Sequence, residues 1–368
     1  MRLERLALSN FRNYTQLDLE PQPGLNVFLG RNAQGKSNLL EAIAMLGIGK
    51  SFRTTRDADL IRTGVELAVV RGEAVRHDGS LQVACTISRS ARGTRKLFAR
   101  NKRNVRYAQF LGALTVVTFV PSDLHLVTGS PGQRRAFINT ALAQQDQQYY
   151  RELARYQEAL RQKGALLRGE IDGELLATYD RVLAESGARL VLTRRSFIEA
   201  LRREGTAVHA KWSDGAEHLE LQYSPNIAFD VPVEDAVADA IAQRLREVAP
   251  LERQRRVTLA GPHRDDILFL LDGRPLAAFG SQGQQRMAVL AVKVAEYSVM
   301  RDRTGEAPLL LLDDVLSELD ERRATAFLAG VGDYEQAFIT STQRPLGLPQ
   351  RSALYMVEAA HVMVQMPC

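Results

Sequence analysis

Gly30-Arg31-Asn32-Ala33-Gln34-Gly35-Lys36-Ser37 is the stretch on which the fold turns. It fits G-x-x-x-x-G-K-[ST] at every fixed position. Leu25–Leu29 reads as a strand running straight into it, and Leu39, Leu40, Ile43 and Leu46 follow at helical spacing. Gly30 and Gly35 let the backbone curl, so that the N–H groups of the loop and of the helix start face phosphate oxygens. Arg31, Asn32, Ala33 and Gln34 form the curl itself. Lys36 is placed to reach the β- and γ-phosphates of ATP, and the Ser37 hydroxyl to ligate Mg2+. A chance glycine-rich turn would have no reason to sit between a strand and a helix.

The matching half of such a site lies near the other end of the chain. Leu309-Leu310-Leu311-Leu312 reads as a strand buried on both faces, and it ends in Asp313 and Asp314. Asp313 is the expected second holder of magnesium, and Asp314 sits where a base or water-positioning carboxylate belongs. Taken alone, this is only a buried strand ending in a polar turn. Paired with the phosphate loop, it is the second half of a nucleotide core. The chain therefore leaves that core, builds something else and returns. The expected division is 1–120 for the first part of the core, 121–255 for a helical insertion and 256–368 for the rest.

Composition sets the frame. The 368 residues, 45% hydrophobic and 25% charged, suit a soluble globular protein of two or three lobes. A net charge of +5 leans only slightly toward polyanions. The 2 cysteines, Cys85 and Cys368, fit no metal spacing and point to a reducing, cytoplasmic setting. The start, Met1-Arg2-Leu3-Glu4, does not read as a signal peptide, and no apolar run is long enough to span a bilayer.

Along the chain, Arg2–Leu8, Leu67–Ser88, Arg95–Val105 and Leu114–Val120 read as strands, with a turn near Asn101. Then the texture becomes helical. Tyr149, Leu153, Tyr156, Leu160 and Leu167 step by three and four, with Lys163 taking one slot. After a break at Gly169–Gly173, Leu176, Leu183, Leu190 and Phe197 repeat every seven residues. Two such helices predict a short antiparallel hairpin. His218–Tyr223 alternates like a strand. Val233–Val248 predicts a helix stopped by Pro250, and Ile267–Leu271 with Asp272-Gly273 predicts a β-hairpin.

Gly280-Ser281-Gln282-Gly283-Gln284-Gln285-Arg286 heads the helix that precedes the carboxylate strand. A serine cap, a glycine and free N–H groups make a second anion site. If one subunit supplies the phosphate loop, Ser281 and Gly283 of another can close on the same γ-phosphate, with ATP holding a dimer together. Leu316-Ser317-Glu318-Leu319-Asp320 then suits a loop at that interface.

Taken together, these features resemble the ABC-type ATPases of chromosome maintenance and repair, and within them the RecF family. Further stretches carry the likeness: Asn10-Phe11-Arg12-Asn13-Tyr14, Gly49-Lys50-Ser51-Phe52-Arg53, Gly129-Ser130-Pro131 with Arg134-Arg135 and Phe137, and Gly261-Pro262-His263-Arg264-Asp265-Asp266. The resemblance implies an α/β P-loop head with a split ATPase core and a short helical arm. It implies nucleotide contacts from Arg12, Ser281, Gly283 and Gln284, with Lys36, Asp313 and Asp314 serving catalysis. It further implies an ATP-dependent homodimer that hydrolyses ATP slowly, and that binds single-stranded DNA or single-strand/duplex junctions. Its implied partners are the mediators RecO and RecR, which load the RecA recombinase and so support repair, replication and SOS induction.

Three departures stand out. Leu114–Ser122 lacks the glutamine that usually enters the second lobe, leaving Ser122 or Asp123 for that role. The usual glutamate after the strand aspartate is Asp314. No switch histidine occurs in Thr340-Ser341-Thr342, so a hydroxyl would sense the γ-phosphate. A transporter subunit would place the serine motif much sooner after the P-loop, whereas Ser281 trails Lys36 by 245 positions (281 − 36). A small-molecule kinase has no use for that motif, and the insertion is too short for a long coiled coil.

Arg89, Arg92, Arg95, Lys96, Arg100, Lys102, Arg103 and Arg106 crowd one hairpin, which suits either a phosphate-binding surface or a solvated edge. His263 with Asp265 and Asp266 reads as a structural or interface cluster rather than a metal site.

Overall fold

The computed structural model describes residues 1–91, 93–169, 172–315, 327, 334–345, 348 and 352–365. In chain order, the first strands are β1 (Arg2–Phe11), β2 (Tyr14–Leu19), β3 (Gly24–Leu29), β4 (Leu67–Arg76), β5 (Gly79–Ser90), β6 (Gly93–Arg100), β7 (Arg103–Val105) and β8 (Val116–Phe119). They are followed by β9 (Leu219–Ser224), β10 (Asp266–Leu271), β11 (Arg274–Pro275), β12 (Leu309–Asp313), β13 (Gln336–Ser341), β14 (Ala353–Glu358) and β15 (His361–Gln365). The longer helices are α1 (Lys36–Ile48), α2 (Pro131–Gln145), α3 (Gln147–Arg168), α4 (Gly173–Trp212), α5 (Glu234–Arg255) and α6 (Gln282–Thr304). The chain divides into two compact units: Met1–Asp123 with Leu290–Cys368, and Leu124–Val289.

The first unit holds two six-stranded sheets. One runs β15-β14-β3-β13-β12-β8 and is parallel except for the β14–β15 pair. Leu309–Leu312 are all buried, as an inner parallel strand requires. β3 and β12 are separated only by β13, so the phosphate loop and Asp313 emerge at the same C-terminal edge of the sheet. Open parallel sheets place ligands at that edge. The other sheet, β2-β1-β4-β5-β6-β7, is antiparallel. Its strands alternate, burying Ala68, Val70, Leu81, Val83, Cys85 and Ile87. Leu39, Leu40, Ile43 and Leu46 of α1 share one apolar core with both sheets.

In the second unit, α3 and α4 lie side by side, and Leu176, Leu183, Leu190 and Phe197 are all buried. The expected two-helix hairpin is a three-helix layer, because α5 also packs along α4. Close approach is possible where Gly187 stands: a Cβ there would lie 3.1 Å from the Cδ1 of Ile241. Lys163 occupies its slot in the apolar stripe by pairing with Asp180 and with the buried Glu252 of α5. That anchor corrects the expectation at Pro250. The helix runs through the proline to Arg255, since Val248 and Glu252 are buried on either side of it. The gain from seating both outweighs the lost hydrogen bond. Asp272 and Gly273, with φ of 51° and 74°, form the expected turn between β10 and β11. β10 also pairs with β9, so residues 256–289 belong with this unit, and the expected boundary at 255/256 falls inside it.

Candidate nucleotide site

The phosphate loop adopts a shape that side chains at two positions would forbid. A Cβ on Gly30 would sit 2.3 Å from the carbonyl oxygen of Val357, and one on Gly35 would sit 2.9 Å from both Asn13 Nδ2 and the Tyr14 hydroxyl. Gly35 also has φ of 117°, and Ala33 takes the left-handed region at 66°. Arg31, Asn32 and Ala33 are exposed. The N–H groups of Asn38 and Leu39 turn back to the Gly35 carbonyl. Those of Gly35, Lys36 and Ser37 find no acceptor among the described residues and are left for an anion.

Lys36 is folded onto its own loop, where Nζ donates to the carbonyls of Gly30 at 2.6 Å and Arg31 at 2.8 Å. Desolvation holds its pKa below the usual lysine value, against the pull of Asp314 and Asp313. Ser37 Oγ donates to Asp313 Oδ1 at 2.7 Å, so the two residues expected to share a metal do meet. A hydroxyl and a carboxylate are hard oxygen donors of the type magnesium takes, with phosphate and water completing its shell.

Thr340, at the end of β13, completes this group. Its Oγ1 donates to Asp313 Oδ1 at 2.8 Å and accepts from the N–H of Asp314 at 2.9 Å. The sensing hydroxyl expected among Thr340–Thr342 is therefore not free at Thr340, and that of Ser341 is turned to the Gln343 carbonyl. Asp314 itself has φ of 55°, uncommon for a residue with a side chain. The bridging role of Thr340 escaped the sequence reading; its one visible sign is a hydroxyl ending the apolar run Ala337-Phe338-Ile339.

Other expected residues are engaged differently. Arg12 forms a fork with the buried Glu41, Nε to Oε2 at 2.7 Å and Nη2 to Oε1 at 2.6 Å, and Nη1 donates to the Asp59 carbonyl. It braces α1 instead of lying open to solvent. Asp123 accepts from the Val120 N–H at 2.9 Å, and burial raises its pKa despite nearby Lys293. Its carboxylate caps the end of β8, which leaves the exposed Ser122 as the open candidate for the missing glutamine's role.

Ser281, Gly283 and Gln284 belong to the second unit. Ser281 Oγ accepts from the Gln284 N–H at 3.3 Å while Gln284 Oε1 accepts from the Ser281 N–H at 2.7 Å, a reciprocal cap of α6. Gln284 Nε2 further donates to Glu217 at 2.8 Å, so this amide serves the cap rather than a ligand. Ser281 remains exposed at the helix start. The stretch 316–320 lies outside the described residues.

The family model for the N-terminal domain of RecF, RecN and SMC proteins matches residues 2–363. The DNA replication and repair protein RecF of Geobacillus thermodenitrificans is 39% identical over 98% of this chain and 99% of its own length. This chain belongs to the RecF family. The RecF of Listeria welshimeri is also 39% identical, over 93% of each chain. A solved structure of the recombination mediator protein RecF with ATP has a TM-score of 0.91 at 31% identity, covering 99% of this chain and 97% of the other. The SMC head domain of Pyrococcus furiosus, at 16% identity and a TM-score of 0.58, shares the fold alone. The family fold is the expected P-loop head with a split core, and Lys36, Ser37, Asp313 and Thr340 meet within it.

The hairpin cations separate into two kinds. Lys96 donates to Asp57 at 2.8 Å and to the Gly49 carbonyl at 3.0 Å, and Arg89 donates to the Ala58 carbonyl at 3.0 Å. Those two are structural. Arg95, Lys102, Arg103 and Arg106 are exposed and have no ion-pair partner among the described residues. Arg92 lies outside the described residues. His263 accepts the Tyr156 hydroxyl at Nδ1, 2.6 Å away, and Asp265 pairs with the buried Arg194 at 3.1 Å. Asp266 pairs with Arg134 at 2.6 Å, giving this motif a structural role. Among the described residues no helix is long and apolar enough to cross a membrane.

Proposed function

We propose that this chain is an ATP-switched DNA-binding protein of replication and recombinational repair. Two copies close on ATP, and slow hydrolysis releases them. The meeting of Ser37 with Asp313 at 2.7 Å, beside Lys36 and the free N–H groups of the loop, carries the reading. Lys36 leaves the Gly30 and Arg31 carbonyls to take up the β- and γ-phosphates. Ser37 and Asp313 would hold magnesium, which would neutralise charge at those phosphates. Asp314 orients the attacking water. The exposed Ser281, with Gly283 and the start of α6, closes the γ-phosphate of the partner copy.

Support for the biological role comes from the relatives, which are DNA replication and repair proteins RecF, and from the solved RecF, a recombination mediator in the RecFOR pathway. On that footing the chain acts in the cytoplasm on single-stranded DNA or on single-strand/duplex junctions. RecO and RecR are its mediators, and its output is RecA loading and SOS induction. The exposed cations Arg95, Lys102, Arg103 and Arg106 are the proposed phosphate contacts.

Light scattering with and without ATP tests the switch. Lys36→Arg should abolish ATP-dependent dimerisation with the fold intact. Ser281→Arg should keep nucleotide binding and lose dimerisation. Normal dimerisation by Lys36→Arg, or equal loss of both properties in Ser281→Arg, would overturn the two-copy arrangement.

A further inference from the structure

Two hairpin turns from different sheets converge on one residue of the phosphate loop. The turn between β14 and β15 is Ala359-Ala360, and both residues are left-handed, with φ of 46° and 63°. Ala359 N–H donates to Gln34 Oε1 at 2.7 Å, and Ala360 N–H donates to the Gln34 carbonyl at 3.0 Å. From the β1–β2 turn, Asn13 Nδ2 donates to that same carbonyl at 3.3 Å, and Tyr14 donates its hydroxyl to the Gly35 carbonyl at 3.2 Å. Asn13 is itself oriented, since its Oδ1 accepts from Asn38 Nδ2 at 2.8 Å, and Asn38 Oδ1 accepts from Arg53 at 2.6 Å.

This is an expensive arrangement for alanine. Two adjacent residues with side chains in the left-handed region cost energy that glycine would spare. The turn holds that shape where both its N–H groups meet Gln34. β14 also pairs with β3 up to Met356 and Leu29, bringing the hairpin to the loop's entrance at Gly30.

We propose that these turns are a two-sided clamp on the phosphate loop, with Asn13 and the Ala359–Ala360 backbone as positioning elements for nucleotide binding. Fixing the Gln34 carbonyl outward turns the following N–H groups, from Gly35 on, toward the phosphates. The clamp therefore removes an ordering cost that would otherwise fall on binding. It gives a use to Asn13 and Arg53 of the quoted motifs, and to Asn38 between them. The inference rests on the nucleotide reading above.

The test is titration of a fluorescent ATP analogue into the full chain and its variants, with thermal unfolding of each nucleotide-free protein recorded alongside. Asn13→Ala should weaken binding by about three- to tenfold, the effect of one lost hydrogen bond, and Ala360→Pro, whose ring cannot take the φ of 63° there, by more. Asn13 is exposed, so its variant should melt with the parent. The double variant Ala359→Gly with Ala360→Gly keeps both donors and should bind within about twofold of the parent. Should Ala360→Pro fail to fold, Asn13→Ala carries the test, and Asn13→Asp, which loses the donor and adds a negative charge beside the loop, should bind more weakly still. Parental affinity in both Asn13 variants, with Lys36→Ala unable to bind, would overturn the clamp alone. A parent chain that binds no analogue would overturn the nucleotide reading itself.

Discussion

Thr340 and Asp313, on neighbouring parallel strands, share a hydrogen bond of 2.8 Å from hydroxyl to carboxylate. The acceptor is the same Oδ1 that takes the Ser37 hydroxyl at 2.7 Å. One carboxylate oxygen is thus fixed by donors from α1 and β13, and the N–H of Asp314 is fixed through the oxygen of Thr340. A single threonine thus holds the carboxylate of Asp313 and the backbone of Asp314.

Replacing that threonine by valine keeps shape and removes the hydroxyl. Thr340→Val leaves the Asp314 N–H without its acceptor, a cost of about 1–3 kcal/mol for a buried donor, and frees the left-handed Asp314 to move. ATP hydrolysis should fall by about tenfold or more, while affinity for the nucleotide changes far less. Thr340→Ser should retain most of the rate. Phosphate release in single turnover reads both, and an unchanged rate in Thr340→Val would deny the threonine this role.

How much of this was legible beforehand follows from how local each signal is. The phosphate loop and Leu309–Asp313 could be read directly, because glycine spacing and an unbroken apolar run are properties of adjacent residues. That they meet at one sheet edge followed only from the pairing of the motifs. Pro250 misled because a local breaker was overruled by tertiary anchors, Glu252 on Lys163 and Val248 in the core. The partners of Arg12, expected at the nucleotide, and of Lys96, counted among the hairpin cations, were hidden because Glu41 and Asp57 lie 29 and 39 positions away in sequence. The Ala359-Ala360 turn carried no sign at all, since alanine is not a turn residue and its left-handed pair is what the two-residue hairpin between β14 and β15 demands.

Lys163 offers a test of the helical unit. Its side chain is only 2% exposed and bridges Asp180 and Glu252, and Glu252 is 1% exposed. Lys163→Met fits the slot but strands Glu252 in an apolar setting. The unit should lose about 3–5 kcal/mol, the cost of breaking a buried pair from one side. Lys163→Met combined with Glu252→Gln should recover much of it. Urea unfolding followed by fluorescence of Trp212, the sole tryptophan and part of α4, reports on this unit. A loss under about 1 kcal/mol would mean that water reaches the pair.

His263 makes the same unit sensitive to acid. Burial, with smaller repulsion from Arg264, Arg135 and Lys163, lowers its pKa from 6.5 to about 4. Nδ1 accepts from Tyr156 and Nε2 faces the Thr258 carbonyl, so the neutral ring fits its partners. The unfolded chain takes up the proton first as pH falls, so this contribution is full above about pH 6.5 and declines toward pH 4, by at most about 3 kcal/mol. His263→Gln does not titrate there and should show a shallower loss of stability between those values. Trp212-monitored urea midpoints at several pH values measure it, and parallel curves for the two proteins would contradict the assignment.

The hairpin cations can be sorted by salt. Exposed Arg95, Lys102 and Arg103 have no acidic partner among the described residues, whereas Lys96 is held by Asp57. If the first three neutralise phosphates of single-stranded DNA, each contributes about 0.7 to the slope of log affinity against log salt. Reversing all three to glutamate should flatten that slope by about two units and weaken binding at low salt most. Lys96→Glu should instead disturb the packing of 49–57 against β6, lowering stability with little change in slope. Fluorescence anisotropy of a labelled oligonucleotide at several salt concentrations, with ATP present, separates the two. An unaltered slope in the triple variant would move the DNA path off this hairpin.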